Sequence, residues 1–142
     1  MIRILLVDDS PFIRDGIAAA LQPQDDMTVI GACSDGLEAV EMAEATRPDV
    51  VLMDLQMPGL SGIEATVRLL ARQPRVRVII LTAHPHGAAT AAAAAGAVGL
   101  IPKTGDVEQL LRAIRTVAAG GTLWSGDLDD QPRRGAERCR CR

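Results

Sequence analysis

The sequence predicts an α/β fold, a doubly wound parallel sheet of five strands in the order 2-1-3-4-5. Short apolar runs alternate five times with stretches of helical periodicity, the pattern of a parallel sheet covered by helices on both faces. Hydrophobic residues make up 48% of the 142, yet with one Phe, one Trp and no Tyr the core must be filled by Ala, Val, Leu and Ile. Such a core suits strands buried on both sides. One of these runs, Val50-Val51-Leu52-Met53, ends in Asp54 and is followed by the chain-breakers Pro58, Gly59 and Gly62. Asp is poorly suited to a buried strand, so its place at the carboxyl end asks for a chemical reason.

Taken in order, Ile2 to Val7 is the first strand, stopped by Asp8-Asp9-Ser10-Pro11. Ser10 is placed as an N-cap and Pro11 at the first helical position. Ile13, Ile17 and Leu21 mark one face of that helix. Met27 to Cys33 is the second strand, and Ser34 or Asp35 caps the next helix, with Glu38 three residues after Asp35 as in a capping box. Leu37, Val40 and Met42 to Ala45 give it an apolar side. After the Asp54 strand, Ile63, Val67 and Leu70 mark a third helix ending near Gln73-Pro74. Val76 to Leu81 is strand four, closed by Thr82. Gly87 to Ala97 is Ala-rich, a helix by propensity but one able to bury little area. Val98 to Ile101 is strand five, followed by Pro102-Lys103. Val107, Leu110, Leu111, Ile114 and Val117 line a last helix that Gly120-Gly121 ends.

Length allows one domain, expected over residues 1–124, and no second folded domain. Every apolar run falls short of the roughly 18–20 residues a membrane span needs, and Met1 leads straight into a strand, which reads as a cytoplasmic protein. Three Cys do not make a secreted disulfide framework. Cys33 reads as a small core residue. Residues 1–130 hold 10 basic and 17 acidic side chains, whereas residues 131–142 hold 5 Arg and 1 Glu. The acidic body argues against phosphate-backbone contacts by the body itself. From Ser125 the chain is rich in Gly, Asp, Pro and Arg without periodicity and is expected to be a disordered, linker-like basic tail, in which Cys139 and Cys141 are too few for structural zinc.

In sheets of this kind, ligands bind beyond the carboxyl ends of the strands, where strand order reverses. Asp8 and Asp9 follow strand one, Asp54 ends strand three, Thr82 closes strand four and Lys103 follows strand five. Three carboxylates and one ammonium leave about two uncompensated negative charges, and crowded carboxylates repel unless a cation joins them. Mg²⁺ fits, since it takes oxygen ligands and keeps positions open for water or phosphate oxygens. Lys103 can meet a phosphoryl group and Thr82 can donate a hydroxyl to it. A carboxylate in that setting can attack phosphorus and become an aspartyl phosphate.

Leu6-Val7-Asp8-Asp9-Ser10-Pro11, Met53-Asp54-Leu55-Gln56-Met57-Pro58, Leu81-Thr82-Ala83 and Ile101-Pro102-Lys103 together resemble the receiver domain of two-component response regulators, over about residues 1–123. Gly96-Ala97 and Ala118-Ala119-Gly120-Gly121 most resemble receivers of the helix-turn-helix (NarL/FixJ/LuxR-type) regulators, with a flavodoxin- or CheY-like (βα)5 fold. The resemblance implies that Asp54 is the phosphoacceptor and that Asp8, Asp9, Asp54 and the backbone carbonyl of Gln56 hold Mg²⁺. It implies that Thr82 moves toward the phosphoryl group and Lys103 pairs with it. The implied donor is a phosphohistidine on a sensor histidine kinase, and the switched surface is the helix 4, strand 5 and helix 5 face. The domain is then a signalling module that catalyses only its own phosphoryl transfer and loss; it allows a homodimer and touches DNA only through an output domain that the chain lacks. His84 and Gln56 stand two residues after Thr82 and Asp54, positions that in this family influence loss of the phosphoryl group.

One residue departs from the family. Leu100 stands three residues before Lys103, where many receivers carry a Tyr or Phe, so no ring would follow Thr82 inward there. Together with the Ala-rich helix four, this predicts a loosely packed, mobile element on that face. His84-Pro85-His86 supplies only two ligands and does not close a metal site. A flavin or nucleotide protein would carry a Gly-, Ser- or Thr-rich phosphate loop after strand one, where Asp8-Asp9 would repel phosphate. A haloacid-dehalogenase-like phosphatase would want D-x-D there, and the chain has Asp8-Asp9-Ser10. The alternative that survives is a receiver-like interaction domain acting without phosphorylation.

Overall fold

The computed structural model describes residues 1–84, 87–104 and 106–124. His86 and everything from Ser125 onward, including Cys139 and Cys141, lie outside the described residues. The chain alternates β1 (Ile2–Val7), α1 (Pro11–Leu21), β2 (Met27–Cys33), α2 (Gly36–Thr46), β3 (Val50–Asp54), α3 (Gly62–Arg72), β4 (Arg77–Thr82), α4 (Ala89–Ala95), β5 (Gly99–Pro102), α5 (Val107–Ala118) and β6 (Leu123–Trp124). The strands form one parallel sheet in the order β2-β1-β3-β4-β5-β6. The predicted 2-1-3-4-5 order is present, with one strand added at its edge. A run of two residues carries no periodicity, so β6 could not be read from pattern.

Alternate residues of the sheet enter two cores. Leu5, Val7, Val51, Met53, Val78, Ile80 and Leu100 pack on the side of α2, α3 and α4. Ile4, Leu6, Val50, Leu52, Ile79, Leu81 and Ile101 pack with Leu21 of α1 and Leu110, Ala113, Ile114 and Val117 of α5. β3 is buried throughout, which is why it reads as an uninterrupted apolar run.

The helix starts follow side-chain chemistry. The Ser10 hydroxyl accepts from the Ile13 N–H, with Pro11 at the first turn, as predicted. Asp35, not Ser34, caps α2, and the Glu38 carboxylate accepts from the Ser34 N–H, one residue before the cap. Ser61 and Glu64 form a full capping box on α3 that the sequence reading passed over.

The apolar stripes predicted for the helices need correction. Leu37, Val67 and Val107 are exposed, and Ile13, Ile17, Ile63 and Leu70 are only partly buried. Of the residues predicted on α2, Val40 and Ala43 do face the sheet, joined there by Gly36 and Ala39; on α3 the buried residues are Gly62, Ala65, Thr66 and Leu69. Small side chains let a helix lie close on the sheet, and the bulkier ones at its flanks are then left toward solvent. α4 fits its prediction of slight burial: it has seven residues, no side-chain cap at Ala88, and only Ala89 and Ala92 buried. Amides of α4 are expected to exchange faster than those of α5 in hydrogen-exchange measurements; equal protection would contradict this.

Two glycines after β3 do different work. Gly59 has φ 79°, a left-handed turn position that suits Gly. Gly62 is needed for proximity, since a Cβ there would lie 2.1 Å from the Asp54 carbonyl oxygen and 2.9 Å from the Leu55 Cα. Both obstacles are backbone, so Gly62→Ala must displace the end of β3. The variant is expected to lose about 3 kcal/mol in urea unfolding, the upper end for overpacking; a loss below roughly 0.5 kcal/mol, the level of a neutral surface change, would show that the loop can give way.

Candidate functional site

Sheet register gathers the site. Val7 pairs with Met53, so Asp8 and Asp54 come next on adjacent strands, while Asp54 itself pairs with Leu81. Thr82 pairs with Pro102, and Lys103 follows, its N–H donating to the Thr82 carbonyl at 2.8 Å. Residues far apart in sequence therefore reach one end of the sheet by strand alignment alone. Oxygens of Asp8, Asp9 and Asp54 lie within 4.8 Å of one another.

Lys103 Nζ sits 2.8 Å from Asp8 Oδ2 and 2.8 Å from Asp54 Oδ1. Asp8 and Asp54 are 2% and 4% exposed, so this ammonium bridges two buried charges. Asp8 Oδ1 accepts from the Ser10 N–H at 2.9 Å, while Asp8 Oδ2 accepts no well-formed hydrogen bond in spite of the near ammonium. That oxygen is ion-paired with the ammonium, since attraction between charges does not require alignment, and it keeps lone-pair capacity for a cation. Asp9 is exposed. The Asp54 Oδ1 also receives the Gln56 N–H at 3.4 Å, a long contact.

Burial pushes the Asp54 carboxyl above the usual carboxylate range; Lys103 opposes that rise and the charge of Asp8 adds to it. Burial works against the charge on Lys103, but the carboxylates of Asp54 and Asp8 beside it outweigh that and hold the ammonium above its ordinary value. The site thus has more negative charge than one lysine compensates. A hard divalent cation with oxygen ligands fits this donor set, and Asp8, Asp9 and Asp54 are the side chains that would hold it.

Thr82 is buried, and its hydroxyl oxygen accepts from the His84 N–H at 3.0 Å, leaving the proton free to donate. His84 itself is exposed, and Gln56 is exposed beside Asp54. Leu100 is wholly buried, beneath the site rather than in it. The sequence reading missed Arg14, whose Nη1 donates to the Asp8 carbonyl at 2.5 Å and so ties α1 to the acidic loop. Arg14 stands six residues beyond Asp8, a spacing that carries no local signal. Cys33 is a core thiol, pushed up to about 12 by burial and by the acids at the start of α2.

Comparison with known proteins gives the family. Residues 4–115 match the family model of the response regulator receiver domain. The chain belongs to that family. It is 40% identical over 124 residues to the uncharacterized transcriptional regulatory protein YxjL of Bacillus subtilis (strain 168), covering 87% of this chain and 57% of that protein. It is 39% identical over 132 residues to the response regulator GacA of Pseudomonas aeruginosa, covering 92% and 62%. A LuxR-family two-component response regulator from Aurantimonas sp. SI85-9A1 has a TM-score of 0.85 at 36% identity, covering 92% of this chain and 94% of that one. The response regulator domain of Thermotoga maritima CheB has a TM-score of 0.80 at 37% identity, covering 84% and 97%. The chain spans about six tenths of the length of the two curated relatives. This receiver domain has the fold and lineage of two-component signalling, among relatives that include LuxR-type transcription regulators. No helix among the described residues is long and apolar enough to cross a membrane.

The raised Asp54 pKa has a sign. The fold holds its proton more tightly than the unfolded chain does, so metal-free stability should fall as pH rises from the usual carboxylate range through the folded pKa. At neutral pH without Mg²⁺, Asp54→Asn is therefore expected to melt above the wild type. Adding Mg²⁺ should raise the wild-type melting temperature, by about 1.4 kcal/mol of stability at tenfold excess over its dissociation constant, and the variant's less. A variant that melts below the wild type, or gains as much from Mg²⁺, would contradict this reading of the charges.

Proposed function

We propose that the chain is a phosphorylation-dependent receiver in which Asp54 takes a phosphoryl group from a phosphohistidine on a sensor histidine kinase, with Mg²⁺ as cofactor. The observation that carries this reading is the Lys103 ammonium at 2.8 Å from both Asp8 and Asp54 inside a three-carboxylate cluster. Such a centre holds one nucleophile beside fixed positive charge, and still has room for a cation.

An Asp54 carboxylate oxygen attacks phosphorus as the bond from phosphorus to the donor imidazole breaks, and the leaving nitrogen keeps the electron pair. Lys103 then pairs with the new phosphoryl oxygens, and the Thr82 hydroxyl donates to one of them. Asp8, Asp9, Asp54 and the Gln56 carbonyl would hold Mg²⁺, which when bound would supply charge that stabilises the transferring group. His84 and Gln56, exposed beside the site, would affect the approach of the water that hydrolyses the acyl phosphate.

The kinase reading finds support in an apolar groove of about 520 Å³ between α1 and α5, lined by Ile13, Ile17, Leu110 and Val107 and bordered by Phe12, which is 86% exposed. It opens beside Lys103, where a donor's helix or a second copy would bring an apolar face. Residues 1–124 form the receiver in this reading, and residues 125–142 a linker-like tail in the cytoplasm. In a longer parent the tail would lead to a DNA-binding domain.

Incubation with Mg²⁺ and acetyl phosphate, read by intact mass, is expected to add one phosphoryl group to the wild type and none to Asp54→Asn. Mg²⁺ binding without any adduct would favour the receiver-like interaction domain that acts without phosphorylation.

A further inference from the structure

The edge strand β6 holds the protein's single tryptophan. Leu123 pairs with Gly99 and Trp124 with Leu100, and Trp124 packs, partly buried, against the same core that encloses Leu100. The strand is two residues long, with the Leu123 N–H donating to the Val98 carbonyl at 3.1 Å. Its seat on β5 depends on a bare glycine: a Cβ at Gly99 would lie 2.9 Å from the Leu123 carbonyl oxygen.

β5 is also the strand that carries Lys103. Only Ile101 and Pro102 lie between Leu100, which pairs with Trp124, and Lys103, whose ammonium bridges Asp8 and Asp54. The lysine's backbone is fastened to Thr82 on β4, so a shift of Lys103 or Thr82 is transmitted along β5. The order β3-β4-β5-β6 puts Asp54 and Trp124 on opposite sides of β5. A stronger pull on Lys103 and Thr82 from the Asp54 side is thus a pull away from β6.

We propose that β6 is a strap whose seating on β5 reports the state of Asp54, Trp124 being lifted from its contact with Leu100 when the aspartate is phosphorylated. The proposal rests on the phosphoacceptor reading of Asp54. It gives the chain leaving the sheet at Trp124 a direct mechanical link to the site, with the aromatic group supplied by β6 and not by position 100. Transmission of this kind needs a contiguous element with two arrangements, and a two-residue strand on a small apolar seat meets that need.

The test uses the full chain with Mg²⁺ and acetyl phosphate, intact mass giving the extent of phosphorylation and tryptophan emission giving the environment of Trp124. As the adduct forms, emission should move to longer wavelength and acrylamide quenching should rise. Asp54→Asn should show neither change. Gly99→Ala, which presses on the Leu123 carbonyl without touching the site, should take the adduct as the wild type does yet start with red-shifted, readily quenched emission that phosphorylation hardly alters. Full adduct with unchanged or less accessible emission in the wild type would overturn the strap alone. Failure of the wild type to take any adduct would overturn the phosphoacceptor reading and the strap with it.

Discussion

The ammonium of Lys103, held between two buried carboxylates, is the interaction on which the rest of the site depends. Burying Asp8 and Asp54 side by side costs several kcal/mol per ion in the absence of compensation. One lysine meets part of that cost and leaves the site short of positive charge. The shortage makes the site receptive to a cation, and in the proposed function the same lysine would then share the charge of a phosphoryl group. A fully neutralised cluster would be more stable and less useful.

The sheet exists to hold this spacing. In-register pairing of β1 with β3 and of β4 with β5 fixes the positions of Asp8, Asp54, Thr82 and Lys103 to backbone precision. Gly62 lets the α3 N-terminus close over the Asp54 carbonyl, and Arg14 clasps the Asp8 carbonyl from α1. Farther out, Arg115 donates from Nε and Nη2 to the two carboxylate oxygens of Asp26 at the other end of the domain; that pair is exposed and its contribution to stability is small. Rigidity is thus concentrated beneath the acids, while α4 and β6 rest on little apolar area.

Much of this was legible in the sequence because its signals are local. Strand ends marked by Asp8-Asp9, Asp54, Thr82 and Lys103 are one-dimensional features, and alternation of strand and helix dictated the layers. Which side chains face the sheet was less legible, since Ala39 and Ala65 took places expected of Leu37 and Val67. A hydrophobic stripe records apolar residues and not the distance of approach. Arg14 to Asp8, Gly62 against Asp54 and Trp124 beside Leu100 are contacts made by folding, with no pattern in the chain to announce them. Leu100 shows the limit most clearly: as a lone departure from the family it predicted a missing ring, whereas the structure places a ring on the neighbouring strand.

The central claim is that burial and Asp8 outweigh Lys103 at Asp54, so that the carboxylate waits for a cation. Its most direct test is an NMR titration of the Asp54 side-chain carboxyl carbon, selectively labelled, with and without Mg²⁺. The account predicts a midpoint above the ordinary carboxylate range in the metal-free protein, falling when Mg²⁺ is added. A metal-free midpoint at or below the ordinary range, unmoved by Mg²⁺, would mean that Lys103 already satisfies the site and that the charge deficit does not exist.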